Sequence, residues 1–363
     1  MNLLFDIGHP AHVHLFKNVA RQLKANGHIV YITIKDDAHI KQLLDTYQLD
    51  YIILGTKGKG LFQKAFKQIY FTFSVLKFFW KHKIDMAIGV SISIAQASVF
   101  SRTKAIVFDD DDMSATPVFA GLSHRFAAHV VSPAVLSKER SRKKDIFHNA
   151  YHELAYLHPH NFTANKSVIS AQNINTHEFF SIIRFSALKA HHDINEQGIG
   201  QEQAIQIISL LEKKGKVFIT SEKELPAAFQ KYRLPIATNQ FHNLLAKASI
   251  LVCDSQTVAS EAAVLGVPSV RINSFVGRIS YLEELEHQYQ LTFGFKPHQF
   301  EQAYQKIQEI INQNNLKEVF QKRRQKMLSE KIDLTAFMLW FIENYPESVK
   351  IMKENPEYQN RFK

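Results

Sequence analysis

Asp254-Ser255-Gln256-Thr257 and, one helical turn on, Glu261 are the densest set of chemically capable groups in the chain. They lie in ILVCDSQTVASEAAVLGVPSVRI, Ile250–Ile272, where an apolar strand ends and a helix of small residues begins. The first amides of such a helix lack partners within it and sit at the positive end of its dipole, which suits a phosphate. Ser255 and Thr257 add hydroxyl donors. Glu261, at i+4 from Thr257, points the same way and can accept both hydroxyls of a ribose. Gly266-Val267-Pro268 stops the helix and returns the chain to a sheet. The same residues also fit an ordinary capped helix, with Ser255 or Thr257 as cap and Glu261 completing a capping box or facing solvent.

A second set follows the first strand: Gly8-His9-Pro10-Ala11-His12-Val13-His14. A histidine near its ordinary pKa can act as general base on a hydroxyl, with His12 the first choice and His9 behind it. Asp6, His12 and His14 can alternatively be metal ligands, or the histidines can simply pack and cap. Asp109–Asp112 ends another strand. Its carboxylates can hold Mg²⁺, bind or deprotonate an acceptor through Asp109 or Asp110, or form a solvated acidic loop.

These residues need elements to hold them. Asn2–Ile7 reads as a strand, Gly8–His14 as a turn, Leu15–Ala25 as a helix stopped by Asn26-Gly27, and His28–Ile34 as a strand. That is one βαβ unit, the seed of a parallel sheet. The alternation continues through Tyr51–Leu54, a helix around Gln63–Lys81, Met86–Gly89 and Ala105–Phe108. Pro159–Asn175 is polar and irregular and marks a boundary. A second βα series follows: Phe179–Arg184, a helix Gly200–Lys213, Lys216–Thr220, a helix His242–Ala248, Ile250–Cys253, a helix Thr257–Leu265 and Ser269–Ile272. Helices dominate after Gln299, and Leu334–Tyr345 is apolar enough to pack on a neighbour. The expected domains are 1–160 and 165–333, with 334–363 returning to the first. Two such domains place the working site in the cleft between them, at the carboxyl ends of the strands.

With 363 residues, two α/β domains are the natural size, and 45% hydrophobic against 21% charged residues is a globular balance. The single cysteine, Cys253, excludes an intramolecular disulfide and any paired-cysteine zinc motif, in keeping with a reducing cytoplasm. The N-terminal apolar run is too brief for a signal peptide, and no apolar segment reaches membrane-spanning length. A net charge of +10 favours anionic partners; +7 of it falls in residues 1–160 and +3 in 161–363. Much of that excess is in Lys57–Lys83, with seven lysines, no acid, and Phe62, Phe66, Tyr70, Phe73 and Phe79 interleaved. Such a stretch suits an anionic membrane surface, or an amphipathic helix that buries its aromatics and leaves its lysines in water. Nucleic acid is the weaker reading, because no nucleic-acid module accompanies the stretch.

The order hydrophobic strand, Asp-Ser, Glu-Ala-x-x-Leu-Gly-x-Pro resembles the donor-nucleotide motif of the GT-B superfamily. That group includes the transferase that adds N-acetylglucosamine to lipid-linked muramyl peptide and the non-hydrolysing UDP-N-acetylglucosamine 2-epimerases. More closely, nearly the whole chain resembles an archaeal and bacterial family of GT-B-like proteins, the DUF354 type. DIGHPAHVHLFKNVARQL (Asp6–Leu23), YHELAYLHP (Tyr151–Pro159), RFSALKAHHD (Arg184–Asp193) and Cys253–Pro268 carry this resemblance. It implies two Rossmann-type domains facing a cleft, with a C-terminal helix crossing back. By resemblance, Ser255, Gln256 and Thr257 hold the diphosphate and Glu261 the ribose, with Asp254 beside them in the nucleotide site. Arg184 stands where the epimerases place a phosphate-binding basic residue, which is alternatively a structural ion-pair partner. Thr220-Ser221-Glu222 lines the same cleft, and Phe241-His242 presents backbone groups to the base. The superfamily's glycine-rich first turn is here rich in histidine and proline.

The expected function is a metal-independent glycosyltransferase of cell-envelope or surface polysaccharide synthesis. It uses a nucleotide-activated sugar, UDP-linked in the first instance, and a sugar or lipid-linked acceptor, with no cofactor and no nucleic acid. The alternatives are a sugar-nucleotide epimerase or hydrolase, and a non-catalytic nucleotide-sugar binder. The expected place is the cytoplasm, with Lys57–Lys83 able to hold the protein on the inner face of the membrane.

Overall fold

Strands buried on both faces must be apolar throughout, and the chain supplies such runs. Leu3, Leu4, Phe5, Ile88, Ile106, Val107 and Phe108 are fully buried, each side chain contributing about 1.5–3 kcal/mol by leaving water. In the computed structural model the described residues are 1–56, 58, 60–170, 174, 178–185, 199–221, 224–234 and 236–363; the counts below are of these. The chain divides into two compact units, one of Met1–Asn161 with Lys331–Lys363 and the other Phe162–Glu330.

The first unit carries β1 (Asn2–Ile7), α1 (Pro10–Ala25), β2 (Ile29–Asp36), α2 (Ala38–Thr46), β3 (Ile52–Thr56), α3 (Leu61–His82), β4 (Met86–Gly89), α4 (Ile92–Ser98), β5 (Lys104–Phe108), α5 (Pro117–Ser123), β6 (His129–Pro133), β7 (Asp145–His148) and α6 (Leu154–Leu157). Its sheet has seven parallel strands in the order β3-β2-β1-β4-β5-β6-β7. The order reverses between β1 and β4, the switch point where ligands of such sheets sit. Gly89 ends β4 there; a Cβ on it would stand 2.7 Å from the Asp6 carbonyl, so only glycine allows the approach.

The second unit carries α7 (Lys166–Ser170), β8 (Phe180–Phe185), α8 (Gln201–Glu212), β9 (Lys216–Ser221), α9 (Phe241–Leu245), β10 (Ile250–Cys253), α10 (Gln256–Leu265), β11 (Ser269–Ile272), α11 (Ser280–His287), β12 (Thr292–Phe295), α12 (Phe300–Ile311) and α13 (Leu316–Glu330). Its five parallel strands run β12-β11-β10-β8-β9, with the switch point between β8 and β10. The chain then returns to the first unit as α14 (Leu334–Glu343) and α15 (Glu347–Glu354). Phe337, Met338, Phe341 and Ile342 of α14 are fully buried.

The turn expected at Gly8–His14 is a correction. The helix begins at Pro10, because His9 caps it by accepting the Ala11 amide and proline is preset for the first helical position. His12 therefore stands on the first turn of α1. Strands β6, β7 and β12 had no counterpart in the sequence reading; two of them are four residues long, and β12 contains a glycine. Among the described residues no helix is long and apolar enough to cross a membrane.

Candidate functional site

The carboxyl edge of the second unit's sheet gathers most of the expected nucleotide residues. Ser255 caps α10, its hydroxyl accepting the Val258 amide at 3.4 Å. The amides of Gln256 and Thr257 open the helix and have no intrahelical acceptor. Asp254, Ser255, Gln256 and Thr257 all remain partly exposed. Gly266, at φ +73, closes α10 in the left-handed conformation that favours glycine. In the sheet Arg184 lies beside both Cys253 and Thr220, and its guanidinium donates to Thr220 Oγ1 at 3.3 Å. Ser221 ends β9 next to them. Arg271 pairs in register with Cys253 from the other side and is fully buried. Among the described residues no acceptor reaches its guanidinium nitrogens, and burial lowers its pKa. Positive charge thus flanks the loop on both sides. The Cys253 thiol, pushed up to about 12 chiefly by burial and then by Asp254, is no nucleophile.

Glu261 and His242 are both buried and meet at 2.9 Å between Oε1 and Nε2. Glu261 therefore does not face solvent, and the capping-box alternative fails: the pair locks α10 to α9. Phe241, half-buried, precedes His242 with its ring 5.9 Å away. Asn273, which sequence reasoning missed, donates to the Asp254 carbonyl at 2.9 Å and holds the loop. Glu222 and most of RFSALKAHHD lie outside the described residues.

The first unit holds a separate acid–base cluster. The His12 Nδ1 accepts the Gly8 amide at 3.4 Å and the His9 Nδ1 accepts the Ala11 amide at 3.2 Å, so each ring carries its proton on Nε2. Burial, then the neighbouring His9 and His152, pushes His12 down to about 3. It is a neutral hydrogen-bond donor at physiological pH. Asp110 pairs with His152, Oδ1 to Nδ1, at 3.1 Å. Burial alone would raise Asp110 and lower His152, but their mutual attraction outweighs it, holding Asp110 below and His152 above their ordinary values. The His152 Nε2 is buried and has no hydrogen-bond partner among the described residues. Asp111 is raised to about 7, first by burial and then by the charges of Asp110 and Asp109.

Asp109 does not fit a role on an acceptor. It is 1% exposed and takes His124 Nε2 and Arg140 Nη2, each at 2.7 Å, so it is the centre of an internal ion-pair network. Asp109–Asp112 do not converge as a metal-ligand set. Asp6, His12 and His14 do not converge either. Asp6 accepts from Thr33 Oγ1 at 2.9 Å and from Ser91 Oγ, and burial raises its pKa. His14 meets the Tyr47 hydroxyl at 3.3 Å.

Residues 1–347 match the family described as protein of unknown function, DUF354. The chain belongs to this family. No curated protein matches the sequence. Among solved structures, this DUF354 chain is similar to the MnaA–UDP co-structure from S. aureus, at 14% identity and a TM-score of 0.69, covering 96% of this chain and 98% of that one. The UDP-GlcNAc 2-epimerase of Neisseria meningitidis bound to UDP-GlcNAc matches at 14% identity and a TM-score of 0.63, covering 98% and 99%. MurG of Acinetobacter baumannii matches at 15% and 0.59, covering 94% and 99%. At these identities the likeness shows the fold: an α/β chain of the GT-B type.

His152 and Glu153 were legible only as part of YHELAYLHP, a motif with no role attached. Asp111 lay inside the acidic run, but nothing in the run distinguished it from its neighbours. His124 and Arg140 carried no signal, since their partner Asp109 is 15 and 31 residues away.

Proposed function

We propose that this DUF354 protein is a glycosyltransferase that takes a nucleotide-activated sugar, UDP-linked in the first instance, and passes it to a sugar or lipid-linked acceptor of the cell envelope. The observation that carries the reading is the start of α10 beside Arg184 and Thr220, at the switch point of the second sheet. Similar structures that hold UDP and UDP-GlcNAc support its nucleotide-sugar part. On this reading the α10 amides and Arg184 stabilise the departing nucleoside diphosphate, and the chemistry asks for no metal. Asp110 orients His152, whose Nε2 takes the acceptor proton, while His12 and His9 donate hydrogen bonds through Nε2. Asp111 supplies a second group poised near neutral pH.

The exposed side of α3 supports the lipid-linked class of acceptor. Phe62, Phe66, Tyr70 and Phe73 point into solvent, Phe62 at 93% exposure, whereas Phe79 is buried. With Lys77, Lys81 and Lys83 exposed on the same helix and its end, the face suits an anionic membrane surface.

An epimerase or hydrolase is the second reading, favoured by the density of acid–base groups around Asp110, Asp111 and His152. Calorimetric titration with UDP, GDP, CDP and their sugar conjugates tests the site. Wild type should bind one nucleotide in the micromolar range. Thr257→Glu should lose it while keeping its helix, since an acid in the first turn favours the dipole but repels a diphosphate. Binding by no nucleotide would remove the proposal. Turnover of the bound sugar nucleotide without acceptor would favour the second reading, and binding without any turnover the non-catalytic one.

A further inference from the structure

We propose that His158, His160 and Asp333 bind one divalent transition-metal ion, with zinc the best match. Their ligand atoms all lie within 4.8 Å of one another, in the first unit. The Asp333 Oδ2 stands 3.7 Å from His158 Nδ1 and 3.4 Å from His160 Nδ1. These separations are long for hydrogen bonds, which cluster at about 2.7–3.2 Å. They suit the edges of a coordination tetrahedron, where ligands about 2.0–2.1 Å from zinc stand about 3.4 Å apart.

The carboxylate is held for this task. Asp333 Oδ1 accepts Asn161 Nδ2 at 2.8 Å, the Thr335 amide at 2.9 Å and the Ala336 amide at 3.2 Å. Those three donors turn Oδ2 toward the two imidazoles, the kind of outer support that orients metal ligands. Proline stands between the histidines, stiffening their spacing, and the rings lie 4.5 Å apart. The contact of the His160 amide with His158 Nδ1, which binding would displace, is a long 3.4 Å. His160 is exposed at 64% of its side chain while the other two ligands are buried, which gives the ion an entry path. Two imidazoles and one carboxylate favour zinc over Mg²⁺ or Ca²⁺, and they leave a fourth position for water. The ion fastens the segment after α6 to the start of α14, next to the points where the chain leaves and re-enters the first unit.

The test is titration of the full chain with Co²⁺, read by the visible absorption of tetrahedral cobalt and competed with Zn²⁺. Wild type should saturate at one equivalent. His160→Ala, on an exposed side chain, should weaken binding at least about tenfold. Asp333→Asn, which keeps the helix cap, should do the same. Because the chain has 18 histidines, His12→Ala serves as contrast and should leave the titration unchanged. Absence of a saturable tetrahedral spectrum would overturn the proposal. So would a spectrum lost in His12→Ala and kept in His160→Ala.

Discussion

Burial and two neighbouring carboxylates make Asp111 an acid that holds its proton up to about pH 7. An unfolded aspartate lets go near 3.9, so between these values the folded state binds more protons, and stability falls as pH rises through the window. Asn at 111 removes the ionisation. The variant should gain on wild type by up to about 4 kcal/mol between pH 4 and pH 8. Thermal unfolding of both forms across that range checks it; a gap that stays constant with pH would dismiss the buried-acid account. The Asp110–His152 pair works with a different window. Its lowered aspartate contributes above about pH 4, and its raised histidine contributes below 6.5 and is lost as pH climbs through the folded value. At the second unit's site, Glu261→Ala should cost about 1–3 kcal/mol, because it removes a buried charged partner of His242. It should also abolish nucleotide binding at a temperature where the variant is still folded. Intact affinity there would take the ribose away from Glu261. Residue types announced these sites, but partners did not. Nothing in the local sequence distinguishes Asp109, taken by Arg140 and His124, from Asp110, which is left for His152.

Helix α3 shows what periodicity can and cannot convey. Its twenty-two residues are legible as a helix, and Phe71, Val75, Leu76, Phe78 and Phe79 form the buried stripe. The surplus of aromatics on the other side is what a simple amphipathic helix would not carry, and only the packed structure sorts Phe79 inward from Phe66 outward. Phe62→Ser with Phe66→Ser should leave the unfolding temperature within about two degrees, since neither ring is buried. The pair should lower binding to anionic liposomes at low salt about tenfold or more. Phe71→Ala, on the packed face, should instead cost about 3–5 kcal/mol. Wild type that stays wholly unbound to such liposomes would end the membrane reading. The strands were legible where they are apolar throughout, as in Ile250–Cys253, or carry a long apolar run, as in Asn2–Ile7. They were not where four residues such as Asp145–His148 mix charge with bulk, because tertiary pairing decides so short a segment.

At the scale of the whole chain, the second unit is one continuous stretch, Phe162–Glu330, while the first is assembled from two. That asymmetry predicts opposite responses to cutting. The first unit needs α14: Phe337, Met338, Phe341 and Ile342 are fully buried, and Thr335 Oγ1 donates to the Ala155 carbonyl at 2.6 Å. Ending the chain at Glu330 removes all of these. Four buried side chains at about 1.5–3 kcal/mol each exceed much of the roughly 5–15 kcal/mol that holds a domain together, so the first unit should unfold. The second unit has its own core between the sheet and α8 and α12, with Ile207, Leu211, Ile307 and Ile310 among the buried residues. It also contains Arg184, Thr220, Glu261, His242 and the start of α10. Expressed alone as 162–330, it should fold cooperatively and bind the nucleotide within about threefold of the full chain, 1.4 kcal/mol being tenfold. Circular dichroism and calorimetry on that fragment measure both. A folded fragment whose affinity has fallen by more than tenfold would assign part of the nucleotide's binding energy to residues of the first unit.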